Sequence, residues 1–345
     1  MARAPLSVVQ VGAGLFGRSW AELVTRAPGF RLAGLVDSRR DARHWARSEL
    51  GVLAFAKLRR ALDAVTPDVV LLVSPPATHR PLAEEALAGG AHVIVEKPLA
   101  LEITDAAAIA DAAERQGCHV VVAQNYRFRR QPRALAALVR ERAVGDLRGV
   151  RVVFGFDLRR AWITSRDWRG RMRHPFLFDM AIHHVDLLRH VTGREVAVVD
   201  ARSWPVPDGP FRHDPTVSAL LELDNGVGVS YDGTWGATTV NTSWNGDWEL
   251  IGTRARATWT GGHDDPLRGV VSLERYGARP RRARLPRLAA VDRLGVLHEL
   301  RRAIATGEEP ETSARDNLRS LATVLALARS CDERQPVRVD QVLPP

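Results

Sequence analysis

The chain has 345 residues, 45% hydrophobic and 26% charged, which suffices for two domains with substantial cores and excludes a disordered or small disulfide-stapled protein. Its only cysteines, Cys118 and Cys331, fit no metal-ligand spacing, so no metal site is expected and a reducing cytoplasm suits the composition. The net charge of +9 is spread along the chain and interleaved with 40 carboxylates, so no nucleic-acid partner is expected.

The first residues lead directly into a strand-like run without the apolar core of a signal peptide, and no apolar run reaches the roughly 18 residues of a membrane span. A cytoplasmic protein with no membrane partner is expected. From residue 6 to about 123, short β-branched runs at 7–11, 31–37, 68–74, 92–96 and 119–123 alternate with helix-like segments at 15–26, 79–88 and 104–116. That alternation predicts βαβ units and a doubly wound parallel sheet of Rossmann type. After Asn125 the pattern changes. The runs at 216–223 and 227–235, joined by Asp224-Asn225-Gly226, predict a hairpin, and those at 249–251 and 255–259 predict another. Helices are expected near 176–192, 289–305 and 314–330. The reading is therefore an α/β fold: a dinucleotide-binding domain over 1–123, then an α+β domain over 124–345 with a large, mostly antiparallel open sheet.

Gly12-Ala13-Gly14-Leu15-Phe16-Gly17 is a GxGxxG between a predicted strand and a predicted helix, the context that marks a dinucleotide fingerprint. Gly12 permits the tight turn, Gly14 lets backbone approach a pyrophosphate, and Gly17 lets helix pack on sheet, while the helix N-terminus attracts the phosphates. Asp37, at the end of the next strand, is placed to accept hydrogen bonds from the adenine ribose. A carboxylate there favours NAD; Arg39 and Arg40, which follow at once, leave NADP possible.

Of the 49 basic residues only Lys57 and Lys97 are lysine, so a position that keeps lysine invites a reason. Lys97 follows the strand at 92–96, at the carboxyl edge where open α/β sheets bind ligands, and Pro98 restricts its backbone and could follow a cis peptide. Further on, Phe178, Ile182, Val185 and Leu188 or Arg189 form a helical stripe, beside which Asp179, His183, Asp186 and His190 recur at one face.

Together these segments resemble the glucose-fructose oxidoreductase, inositol dehydrogenase and rhizopine-catabolism (Gfo/Idh/MocA) family. The runs that carry the resemblance are Ser74-Pro75-Pro76-Ala77-Thr78-His79, Ala86 through Leu99 with its Glu96-Lys97-Pro98, Asn125-Tyr126-Arg127-Phe128, and Asp179 through Asp186. The resemblance implies an NAD(P)-dependent dehydrogenase acting on a secondary alcohol of a sugar, cyclitol or sugar derivative, with Lys97, Asp179 and His183 catalytic. It implies cofactor contacts from Gly12, Gly14, Leu15, Phe16, Gly17, Asp37, Ser38, Arg39, Ser74, Pro75, His79, Glu96, Lys97 and Asn125. Substrate contacts are expected from Lys97, Tyr126, Arg127, Trp168, Arg173, Asp179, His183 and His184. It also implies a homodimer or homotetramer formed through the C-terminal sheet. Two departures lie beside the substrate region: Ala181 stands where the family often has glycine, and Arg173-His174-Pro175 replaces a frequent glycine cluster. The arginines at 159, 160, 166, 169, 171 and 173 suggest an anionic substrate. Two other functions remain open at this point: a redox-neutral enzyme that oxidises a sugar transiently to allow elimination, and a non-catalytic sensor that binds sugar and NAD.

Overall fold

The computed structural model describes residues 4–158, 168–207, 209–236 and 241–344. The chain divides into two units, Met1–Gln124 with Arg293–Leu318, and Asn125–Asp292 with Arg319–Pro345.

In the first unit, β1 (Leu6–Val11), α1 (Leu15–Arg26), β2 (Phe30–Val36), α2 (Arg40–Leu50), β3 (Leu53–Phe55), α3 (Leu58–Val65), β4 (Val69–Leu72), α4 (His79–Ala88), β5 (His92–Val95), α5 (Ile103–Gln116) and β6 (Val120–Val122) follow in order. The strands form one parallel sheet in the order β3-β2-β1-β4-β5-β6. Every residue of β4 and β6 is buried, as parallel strands covered on both faces require. Strand order reverses between β1 and β4, so the loops after β1, β4 and β5 all lie at the carboxyl edge where such sheets bind ligands. The sequence reading missed β3, a three-residue edge strand with no fully buried position.

The second unit begins with a turn of 3-10 helix at Asn125–Phe128 and continues through α6 (Arg130–Arg140), β7 (Leu147–Gly155), α7 (Trp168–Arg171), α8 (Ile182–Thr192), β8 (Val196–Trp204), β9 (Thr216–Leu223), β10 (Gly228–Thr234), β11 (Asp247–Gly252), β12 (Arg256–Thr260), β13 (Val270–Glu274) and β14 (Arg281–Arg282). With a late β15 (Val337–Arg338), these strands form a nine-stranded sheet in the order β14-β13-β12-β11-β7-β10-β9-β8-β15. Only β7 and β10 pair in parallel. Both expected hairpins are present, as β9/β10 and β11/β12. Alternation along the strands sends Phe154, Tyr231, Trp248 and Trp259 into the core and leaves Arg151, Asp232 and Glu249 on the other face.

The chain then returns. α9 (Arg293–Thr306) groups with the first unit, and α10 (Ala314–Glu333) begins there, although the sequence reading assigned both late helices to the second domain. The reason is the unfilled edge of β6: Val122 N donates to Thr312 O at 2.8 Å, and Thr312 Oγ1 donates to Val122 O at 2.9 Å. Arg315 adds ion pairs to Asp111 and Glu114 of α5, both at 2.7 Å.

Candidate active site

The loop between β1 and α1 has the shape its glycines allow. Gly12 has φ +97°, and a Cβ there would fall 2.4 Å from Val73 O; a Cβ on Gly17 would fall 2.4 Å from Gly12 O. Both glycines are therefore demanded by the protein's own packing. Gly14 is different: a Cβ there would meet nothing within 4 Å. Its flank opens at the start of α1, whose N-cap has no side-chain hydrogen bond, beside Leu15 and Phe16, which are 77% and 47% exposed. An uncapped helix N-terminus with room for close approach and an exposed apolar pair fits a dinucleotide pyrophosphate and its neighbours. Gln10, missed in the sequence because it is one polar residue within a strand, fixes the loop by donating from Nε2 to Gly12 O and Gly17 O, each at 2.7 Å.

Asp37 sits at the end of β2, where Oδ2 accepts from Ala13 N and Oδ1 from Arg39 N, both at 2.9 Å. Each carboxylate oxygen keeps further acceptor capacity for ribose hydroxyls. Arg39 bridges to the glycine loop, donating to Ala13 O at 3.2 Å and lying 3.5 Å from Asp37. Ser38 is exposed beside it. After β4, the Ser74 hydroxyl pairs with that of Thr78 at 2.7 Å, and Pro75 precedes a 3-10 turn.

His79 and Glu96 are scaffold rather than contact surface. His79 is fully buried, with Nε2 at 2.9 Å from Ser74 O and Nδ1 at 3.1 Å and 3.2 Å from the Pro98 and Leu99 carbonyls, so it ties the loop after β4 to the turn after β5. Burial pushes its pKa down. Glu96 is buried too: Oε1 accepts from Trp20 Nε1 at 2.7 Å and Oε2 from Lys97 N at 3.1 Å. Burial raises its carboxyl, and the neighbouring Lys97 charge opposes that rise. The Lys97–Pro98 peptide is cis.

In the second unit, Asn125 donates to Asp292 at 2.6 Å. Tyr126 is buried with its ring in a sandwich. The Arg129 guanidinium lies 3.5 Å from the ring centre, and the His183 imidazole stacks at 4.0 Å with an interplanar angle of 5°. Two groups so close to one ring centre occupy opposite faces. Arg129 is held by Asp292 at 2.6 Å and by Asn245, so the stack has a fixed base. Sequence reasoning could not assemble these partners, which lie more than a hundred residues apart. Burial pushes the Tyr126 hydroxyl up to about 12, so it stays neutral at working pH.

Asp179 falls within a turn of π-helix, Leu177–Ala181, that precedes α8. This widened turn breaks the regular spacing expected through 176–192, as π-turns often do at functional sites. Arg169 lies 3.4 Å from the Asp179 carboxylate. Arg173, expected at the substrate, is 68% exposed and pairs with Asp332 at 2.9 Å. Arg159, Arg160 and Arg166 lie outside the described residues, as does the Trp168 side chain.

Two expected substrate residues are structural. Arg127 forms a buried two-pronged ion pair with Asp186, at 2.6 Å and 2.7 Å, which holds that member of the row Asp179, His183, Asp186 and His190 in the core. His184 points into the sheet-facing core, with Nδ1 2.9 Å from the Tyr231 hydroxyl and Phe154 and Trp248 around it. Burial pushes its pKa from 6.5 down to about 3, so it remains neutral in the fold while the unfolded chain takes up a proton below 6.5. Its contribution to stability is therefore present above 6.5 and lost progressively as pH falls toward 3. The expected loss at about pH 5 is about 2 kcal/mol. Urea midpoints at pH 7 and 5 should show this, and His184→Asn should flatten the slope; an unchanged slope would assign the proton linkage elsewhere.

The chain matches the family model GFO/IDH/MocA, described as an oxidoreductase family with an NAD-binding Rossmann fold, over residues 6–124. It matches the GFO/IDH/MocA C-terminal domain over 133–258. It belongs to this family of oxidoreductases. NAD is the family's cofactor, and the open cradle at Gly14 fits it. Among relatives, D-apiose dehydrogenase of Paraburkholderia graminis is 27% identical, over 95% of this chain and 88% of that one. The dTDP-3,4-didehydro-2,6-dideoxy-alpha-D-glucose 3-reductase of Streptomyces violaceoruber is 30% identical over 70% and 69%. An oxidoreductase from Agrobacterium radiobacter, solved with NAD+, L-tartaric acid and magnesium, shares the fold with a TM-score of 0.86 at 20% identity, covering 99% of this chain and 100% of that one. Among the described residues no helix is long and apolar enough to cross a membrane, and no three His, Cys, Asp or Glu side chains gather as metal ligands.

Proposed function

We propose that the protein oxidises a secondary alcohol of a sugar, cyclitol or sugar derivative, with Lys97, Asp179 and His183 as its catalytic residues. The observation that carries this reading is the contrast between two adjacent imidazoles. His184 is consumed by the core, whereas His183 presents a ring face to Tyr126 in a clamped stack, which fixes its plane. Stacking fixes the plane of the ring, and a neutral imidazole is a group able to accept a proton near working pH.

Bound NAD supplies the acceptor for the hydride. The hydroxyl proton must leave as the C–H bond breaks, and His183 accepts it. Lys97 holds the substrate oxygen and stabilises the negative charge that develops there. Asp179 orients the substrate hydroxyl. The names of the two sugar-processing relatives support this substrate class. A panel of sugars, cyclitols and sugar acids assayed for both NADH and product tests it. One NADH per product is expected. Product without NADH would replace it with redox-neutral chemistry, and binding without product would make it a sensor.

The reading includes preference for NAD over NADP, supported by the position of Asp37 and by Arg39 being engaged with Asp37 and Ala13. Asp37→Ala is expected to move the ratio of NAD to NADP affinity by about tenfold toward NADP, about 1.4 kcal/mol. Fluorescence titration with each dinucleotide measures it; an unmoved ratio would place the ribose elsewhere.

A further inference from the structure

The stretch from Arg275 to Val291 holds six arginines and no carboxylate. Against it, within the second unit, lies a recess of about 570 Å³ lined by Arg130, Gln131, Leu267, Arg287, Leu288 and Val291. None of these residues belongs to the dehydrogenase site proposed above. We infer that this recess binds a small organic anion, with a phosphate or carboxylate held by Arg130 and Arg287 and an apolar part against Leu267, Leu288 and Val291.

Charge accounting is the first support. Three arginines nearby in sequence are neutralised: Arg129 by Asp292, Arg256 by Glu249 and Glu274, Arg268 by Asp265. Arg130 and Arg287 pair with no carboxylate among the described residues, so two guanidiniums share a concave surface without a counter-charge. Two like charges at one recess repel each other, and an anion between them removes that repulsion.

Pre-organisation is the second support. Arg130 donates from Nε to Pro286 O at 2.8 Å and from Nη2 to Leu285 O at 3.3 Å. Those bonds fix the guanidinium plane and leave the Nη1 end for a planar, two-oxygen acceptor. An arginine fixed in advance loses less conformational freedom on binding than a mobile surface one.

The wall supplies the third support. Gln131 is fully buried; its Nε2 donates to Leu267 O at 2.6 Å and Gly269 O at 3.1 Å, while Oε1 has no hydrogen-bond partner. Those bonds tie α6 to the 267–269 segment and hold the wall of the recess in place. One anchored guanidinium, a second arginine and an apolar side describe a small phosphorylated or carboxylated metabolite.

The test uses NAD-saturated protein, so that the dinucleotide cradle is filled, with glycerol 3-phosphate and citrate as separate probes titrated calorimetrically at low salt. Arg130→Gln/Arg287→Gln is compared with Arg279→Gln/Arg282→Gln, which removes the same charge from outside the recess. The recess pair is expected to weaken one or both probes by about tenfold or more while the control pair changes affinity by less than about twofold. Tighter binding of glycerol 3-phosphate would assign the site to phosphate, and tighter binding of citrate to carboxylate. Equal weakening by both pairs would mean that only the general positive field attracts anions, and undiminished binding in the recess pair would place the anion elsewhere; either result overturns the inference. All four arginines are exposed, so the variants are expected to keep the wild-type melting temperature.

Discussion

Lys97→Arg is expected to lower kcat by about a hundredfold while NAD affinity and melting temperature stay at their wild-type values. The substitution keeps the positive charge, so any loss must come from shape or from the ability to release a proton. An ammonium is compact and donates in three directions, whereas a guanidinium is planar, bulkier and unable to release its proton. The backbone around Lys97 has little freedom to compensate, because Glu96 is bonded to Trp20 and His79 bonds the Pro98 and Leu99 carbonyls. A donor displaced by about 1 Å no longer meets the substrate oxygen as charge develops. Steady-state kinetics on a substrate found in the panel, with a dinucleotide titration of the same variant, reads both halves. Retention of more than about half the wild-type kcat would remove Lys97 from the reaction.

Arg127→Leu is expected to destabilise the protein by about 3–5 kcal/mol. Arg127 and Asp186 are 6% and 1% exposed, so the substitution leaves a buried carboxylate whose Oδ1 keeps, among the described residues, Ser320 at 3.0 Å and Arg189 at 4.0 Å. The double variant Arg127→Leu/Asp186→Leu should recover much of the loss, since two apolar side chains leave no stranded charge. Urea unfolding of the three proteins measures this. A single variant within about 1 kcal/mol of wild type would show that water reaches Asp186 and that the pair is not a structural element of the core.

The two predictions also mark where the sequence was readable. Lys97 stands out in the sequence as a candidate because its signal is local: a strand, a proline and a rare lysine within a few residues. The glycine loop was legible for the same reason, as were the hairpins, whose turn residues announce them. Arg127 was misread because a motif residue beside a candidate tyrosine looks functional until its partner, 59 residues away, is placed against it. His183 and His184 are neighbours in sequence and differ only in which side of α8 they face. The π-turn at Leu177–Ala181 shifts Asp179 relative to α8, and a 3.6-residue period does not foresee it. β3 escaped because three residues give too short a run for periodicity.

The returning segment sets the order in which this protein can be made. β6 forms one ladder, with β5, and its other edge is met by Ser313 and by the bonds between Val122 and Thr312. A nascent chain that has reached Gln124 has written every strand of the six-stranded sheet and still carries β6 as a bare, wholly apolar edge. Such an edge is a template for pairing with another chain. The first unit to be synthesised is thus among the last to be finished: its sheet waits, unprotected, while eight strands of the second sheet, β7 to β14, emerge, and is sealed only when Arg293–Leu318 follows.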